Sequence, residues 1–139
     1  MEKISETVIK LRIATRRACM CENAENKKKS TLSLKTKVLY LISAGCIPKD
    51  IMLTLCIAKS NLALTAAALI RDGFIVKCRG YGDKREVRYA LTGKGKKYLN
   101  GCLAVIEKRF KSAYSDEESY LKAREKLNDA LEIFAYLNI

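Results

Sequence analysis

The side chains able to do chemistry in this chain are its cations and its thiols: 27 Lys and Arg against 15 Asp and Glu, six cysteines, and no histidine. The missing imidazole removes Ser-His and Cys-His nucleophilic pairs, His-ligated metals and a charge switch near neutral pH. The thiols are Cys19, Cys21, Cys46, Cys56, Cys78 and Cys102. An even count invites a disulfide framework, but four of them sit in apolar periodic stretches, where reduced cysteine behaves as a small hydrophobe. No Cys-x-x-Cys occurs, and Cys19-x-Cys21 has no second pair or histidine in register to close a tetrahedral zinc site, so neither metal nor cofactor is expected. Gly93-Lys94-Gly95-Lys96-Lys97 lacks the spacing of a phosphate loop and reads instead as the start of a helix near a DNA backbone. Gly80-x-Gly82 lacks the third glycine of a dinucleotide loop. An enzyme is therefore not expected.

What remains is charge. The chain carries a net +12, which points to a polyanionic partner, with nucleic acid first among them. A single surface lysine usually does no more than keep a protein in solution. The surplus here is unevenly placed, however: residues 59–97 hold ten Lys and Arg against three acids, whereas residues 112–139 hold three against six. A basic segment joined to an acidic one is the footprint of a DNA-facing module attached to a module with another task.

The elements that must position these charges follow from hydrophobic spacing. A length of 139 residues, 49% of them hydrophobic, suits one domain with a true core. One proline and seven glycines favour long helices. Residues 3–24 repeat apolar groups every three to four positions, as a helix does: Ile4, Val8, Leu11, Thr15, Cys19. Residues 35–44 form a second helix, with Val38, Leu39, Leu41 and Ile42 inward and Gly45 as its stop. Pro48 opens a short third helix carrying Ile51, Met52 and Leu55. A break at residues 56–59 precedes a fourth helix with Ser60 as N-cap, Leu62, Ala66, Leu69 and Ile70 on one face, and Gly73 at its end. The period then falls to two. Residues 74–79 and 85–91 read as the strands of a hairpin, with Val87, Tyr89 and Leu91 inward and a turn-rich tip at residues 80–84. Thr92 caps a fifth helix with the stripe Leu99, Cys102, Leu103, Ile106 and Phe110. Ser115 and Glu118 form a capping box for a sixth, whose stripe is Tyr120, Ala123, Leu127, Leu131, Phe134 and Leu137. The fold class is thus mainly α with a small antiparallel β wing: six helices, a winged helix–turn–helix DNA-binding domain over residues 33–92, and a helical dimerisation region from residues 1–25 and 93–139.

Asp83-Lys84-Arg85, followed after a short gap by Leu91-Thr92-x-x-Gly95, resembles the D-x-R…L-T-x-x-G wing pattern of the MarR family of transcriptional regulators. Ser60-Asn61-Leu62…Leu69…Gly73-Phe74-Ile75 is similar to that family's recognition helix and its exit into the wing. The resemblance covers essentially the whole chain. It implies that Arg85 enters a minor groove, whose narrow form favours arginine, and that Asp83 steadies the loop. The competing reading of Asp83 and Arg85 is a surface ion pair of little worth. Lys77, Arg79, Lys84 and Arg88 are expected on phosphates, which position without specifying, and Lys59 is expected in the DNA interface. Where relatives carry arginine or another long polar side chain, this chain has Ala63 and Leu64. The outward set would be Asn61, Ala63, Leu64, Thr65, Ala67 and Ala68, with Ser60, Asn61 and Thr65 on base edges and Ala63 or Leu64 on thymine methyls.

The first and last two helices expose more apolar surface than one winged lobe can cover, which predicts a homodimer. Two-fold symmetry would set two recognition helices about 34–36 Å apart and call for an inverted-repeat operator on double-stranded DNA. The resemblance further implies release by a small phenolic or other aromatic effector, or by oxidation of a thiol in the first helix. Cys19 and Cys21, near Arg16 and Arg17, are the redox candidates. The apolar recognition helix motivates a rival: a winged-helix protein of low sequence specificity, acting as an architectural factor or through protein partners. No apolar run approaches the roughly 18 residues of a membrane span, and no signal-peptide pattern follows Met1, so the expectation is a cytoplasmic repressor with reduced thiols and no membrane partner.

Overall fold

The computed structural model describes residues 3–25, 33–79 and 86–137, with side chains for residues 3–15, 33–79 and 86–136. Among the described residues the order is α1 (Ile4–Glu25), α2 (Leu34–Ser43), α3 (Pro48–Leu55), α4 (Lys59–Arg71), β1 (Ile75–Arg79), β2 (Val87–Leu91), α5 (Gly93–Ala113) and α6 (Glu117–Leu137). These residues are mainly helical, and the one sheet among them is antiparallel and two-stranded, paired Ile75 to Leu91 through Arg79 to Val87. It divides between Cys102 and Leu103, inside α5, into two compact units.

The first unit holds the core. Val38 and Leu39 of α2, Ile51 of α3, Leu69 of α4 and Ile75 of β1 are fully buried, joined by Ile42, Leu62, Ala66 and Leu99. Each such side chain contributes about 1.5–3 kcal/mol by leaving water. Local rules set the joints. Ser33 caps α2 by accepting the Thr36 amide at 3.3 Å, and Pro48 occupies the first turn of α3, where its missing N–H is not required. Gly45 and Gly73 take positive φ (86° and 77°) just past α2 and α4, a conformation that penalises any Cβ. Cys56 does the same work after α3 at φ 52° without being glycine.

Two caps differ from expectation. The fourth helix starts at Lys59 with Ala58 as N-cap and no side-chain bond, so Ser60 lies inside the first turn. For α6 the cap is Asp116 rather than Ser115: its Oδ2 accepts the Ser119 amide at 2.9 Å. The start of α4 shifts by two residues and that of α6 by one, where Asp116 offers a competing carboxylate next to Ser115.

In the second unit α5 continues to Ala113 and α6 begins at Glu117. None of the side chains described there is buried. The contacts are peripheral: the Tyr120 hydroxyl donates to Glu107, Lys111 sits 5.9 Å from the Tyr120 ring centre, and Lys122 pairs with Glu118 at 3.0 Å. Of the apolar stripe expected on α6, Tyr120, Ala123 and Phe134 are half-buried, while Leu127 and Leu131 are 51% and 67% exposed.

Candidate nucleic-acid interface

The helix pair that would meet DNA is built by the break at residues 56–58. The αL turn at Cys56 reverses the chain, and the Ile57 amide returns to Met52 O at 3.1 Å. The axes of α3 and α4 consequently turn by 114°, within the range of about 90–120° typical of helix–turn–helix units. Burial of Leu62, Thr65, Ala66 and Leu69 fixes which side of α4 faces the core. Lys59, Ser60, Asn61, Ala63, Leu64, Ala67, Ile70 and Arg71 are left exposed.

Thr65 departs from expectation. It is 9% exposed, and its hydroxyl donates to Asn61 O at 3.0 Å, so it faces the core rather than a base edge. A threonine satisfies its own hydroxyl within the preceding turn, which lets it replace an apolar residue at a core position. Ile70, read as inward, is 42% exposed instead.

The hairpin register sorts the cations. Cross-strand partners share a face, so Lys77 and Arg79 lie on the side of Tyr89 and Val87, and Arg88 lies opposite with Cys78. All three cations are exposed. Arg88 meets Glu86 at 3.4 Å; a surface pair of this kind is worth at most about 1 kcal/mol and leaves the guanidinium available. Asp83, Lys84 and Arg85, expected at the wing tip, lie outside the described residues, as do the side chains of Cys19 and Cys21.

The wing is anchored by a latch whose parts the sequence had only hinted at. Thr92 donates its amide to Phe74 O at 3.0 Å and its hydroxyl to Gly73 O at 2.6 Å, while accepting the Gly95 amide at 3.0 Å. One residue thereby ties the end of α4, the start of β1 and the first turn of α5. Gly95 is buried against Phe74, where an added Cβ would fall 2.0 Å from the carbonyl oxygen. Lys94, exposed in the first turn of α5, donates its ammonium to Asp72 O at 2.9 Å at the negative end of α4 and lies over the Phe74 ring. Tyr98 stacks on Phe74 at 4.6 Å, and burial, with Cys102 beside it, pushes its phenol above the ordinary tyrosine range. The L-T-x-x-G pattern is thus a device for holding the hairpin to α4. Lys96 and Lys97, one turn on, remain exposed.

Among the described residues no group of carboxylates or thiols has the arrangement of a metal site, and no single helix is long and apolar enough to cross a membrane.

No family model matches the sequence, and no curated protein matches it. Solved structures do. A mutant MarR from E. coli is 15% identical, with a TM-score of 0.71 over 94% of this chain and 98% of that one. NadR in complex with 4-hydroxyphenylacetate is 19% identical, with a TM-score of 0.70 over 99% and 93%. Streptococcus pneumoniae FabT in complex with DNA is 16% identical, with a TM-score of 0.66 over 97% and 99%. The chain has the MarR-like winged-helix fold.

Proposed function

We propose that this chain is a DNA-binding transcriptional regulator, acting as a repressor. It binds an inverted-repeat operator as a homodimer, with α4 in the major groove and Arg85 of the wing in the minor groove. The observation that carries the reading is the helix pair bent by 114°, which leaves the outer side of α4 exposed beside a hairpin bearing Lys77, Arg79 and Arg88. Cations so placed meet phosphates on either side of a groove, while the helix between them meets base edges.

The dimer is supported by the second unit, two long helix segments whose described side chains include none that is buried. A second copy of residues 1–25 and 93–139 would cover their leucines. Release by a small aromatic molecule is consistent with the 4-hydroxyphenylacetate held by the similar NadR, and DNA binding with the DNA held by the similar FabT. Cys19 and Cys21 stay the alternative trigger through oxidation. A cytoplasmic, non-enzymatic protein fits this role.

One observation favours a second reading. No lysine or arginine lies on α4 between Ser60 and Ile70, so an architectural protein of low sequence specificity, or one acting through protein partners, would keep the phosphate grip and lose the reading. Selection of genomic fragments with the purified protein separates the two. An enriched inverted repeat is expected for the regulator, and fragments with no shared motif would overturn it.

A further inference from the structure

Resting on the reading of α4 as a major-groove helix, we infer that its outer side selects thymine-rich sites by apolar contact with thymine 5-methyl groups, with Leu64 as the principal specificity-determining residue. Leu64 is 73% exposed, more than any other leucine of the winged lobe, although Leu62 and Leu69 on the same helix are buried. Nothing in the first unit's core requires an outward leucine there. It stands in the row of exposed positions between Asn61 and Ala67.

The chemistry available on that side is narrow. With Thr65 bonded back to Asn61 O, the uncharged hydrogen-bonding side chains left outward in the first two turns are Ser60 and Asn61. The forked donor that reads guanine is an arginine, and the described helix has none before Arg71 at its last position. Asparagine pairs with adenine through N6 and N7, and the hydrophobic partner that a major groove offers is the thymine methyl. Asn61 for adenine and Leu64, flanked by Ala63 and Ala67, for thymine methyls together describe a surface complementary to A·T pairs. The flanking cations, Lys59 at the helix start and Lys77 and Arg79 on the hairpin, hold the helix to the backbone without adding preference.

The test uses the full chain and a duplex recovered from a random pool. Each thymine of the recovered site is replaced by deoxyuridine, which removes the methyl and keeps base pairing. Affinity should fall about fourfold for each methyl in contact, the value of one buried methylene-sized group. Leu64→Ala should bind thymine and deoxyuridine duplexes alike, with an unchanged far-UV spectrum because the removed side chain is exposed. Equal affinity of the parent protein for both duplexes at every position, or recovery of sites with G·C pairs beneath α4, would overturn the inference while leaving salt-dependent DNA binding intact. Failure to retain any duplex would overturn it together with the function on which it rests.

Discussion

Gly95→Ala and Gly101→Ala place the same methyl group on the same helix and should have opposite effects. At Gly95 the new Cβ would lie 2.0 Å from Phe74 O and 2.9 Å from its carbonyl carbon. An ordinary non-bonded separation is about 3.5 Å. The carbonyl cannot yield alone, because it accepts the Thr92 amide, and the adjoining Gly73 carbonyl accepts the Thr92 hydroxyl. The first turn of α5 must lift instead. Overpacking of this kind costs about 2 kcal/mol, and two weakened hydrogen bonds cost about 1 kcal/mol each. Alanine returns about 1 kcal/mol through its helix propensity. The net loss is about 3 kcal/mol, or about 10 °C in Tm for a domain of this size. At Gly101 nothing stands within 4 Å of the Cβ position, so only the propensity gain of about 1 kcal/mol applies. Urea unfolding followed by far-UV circular dichroism measures both. A Gly95→Ala protein as stable as the parent would refute the close approach of α5 to Phe74 and, with it, the latch.

Three further outcomes are expected. Replacing Cys56, held at φ 52°, by glycine relieves about 1–2 kcal/mol of left-handed strain against a flexibility cost of about 0.5–1 kcal/mol, so stability should rise slightly; a clear fall in urea midpoint would contradict the turn geometry. The Asp116 carboxyl is held below its ordinary range chiefly by the Ser119 amide, so its stabilisation of α6 is present at neutral pH and is lost as pH falls from the ordinary carboxylate value through the lowered one; Asp116→Ala should lower Tm at pH 7 and match the parent near the acid limit, and an equal deficit at both would show that the cap does not act through charge. Arg85→Ala should weaken operator affinity about tenfold without changing the far-UV spectrum, and unchanged affinity would remove the wing from the interface.

The elements were legible where burial and periodicity coincide. Val38, Leu39 and Ile42 recur at helical spacing and are buried, and Val87, Tyr89 and Leu91 alternate as the sheet requires. Gly45 and Gly73 marked helix ends because only a residue without Cβ adopts their φ at no cost. The Leu91-Thr92-x-x-Gly95 pattern was visible, but its work was not, since the partners of Thr92 and Gly95 lie nearly twenty residues upstream in space-filling contact that no local period encodes. Thr65 was misplaced outward because a polar side chain reads as exposed until its hydroxyl is seen to be satisfied within its own helix. The contacts of Lys94 were not legible either, because a lysine stem can lie over a ring and deliver its ammonium to the C-terminus of a helix distant in sequence. Ser60 and Ser115 lost the cap to Ala58 and Asp116 because helix starts shift by a residue or two at almost no cost in propensity.

We propose that the cations around α4 grip a DNA backbone. Equilibrium anisotropy of a labelled duplex, titrated with the full chain across a range of salt, tests it most directly. A protein making about 6–10 phosphate contacts loses roughly 10³–10⁵ in affinity between about 50 and 200 mM salt, so the log–log plot should be a steep falling line. A flat line, or no binding at the lowest salt, would contradict the account.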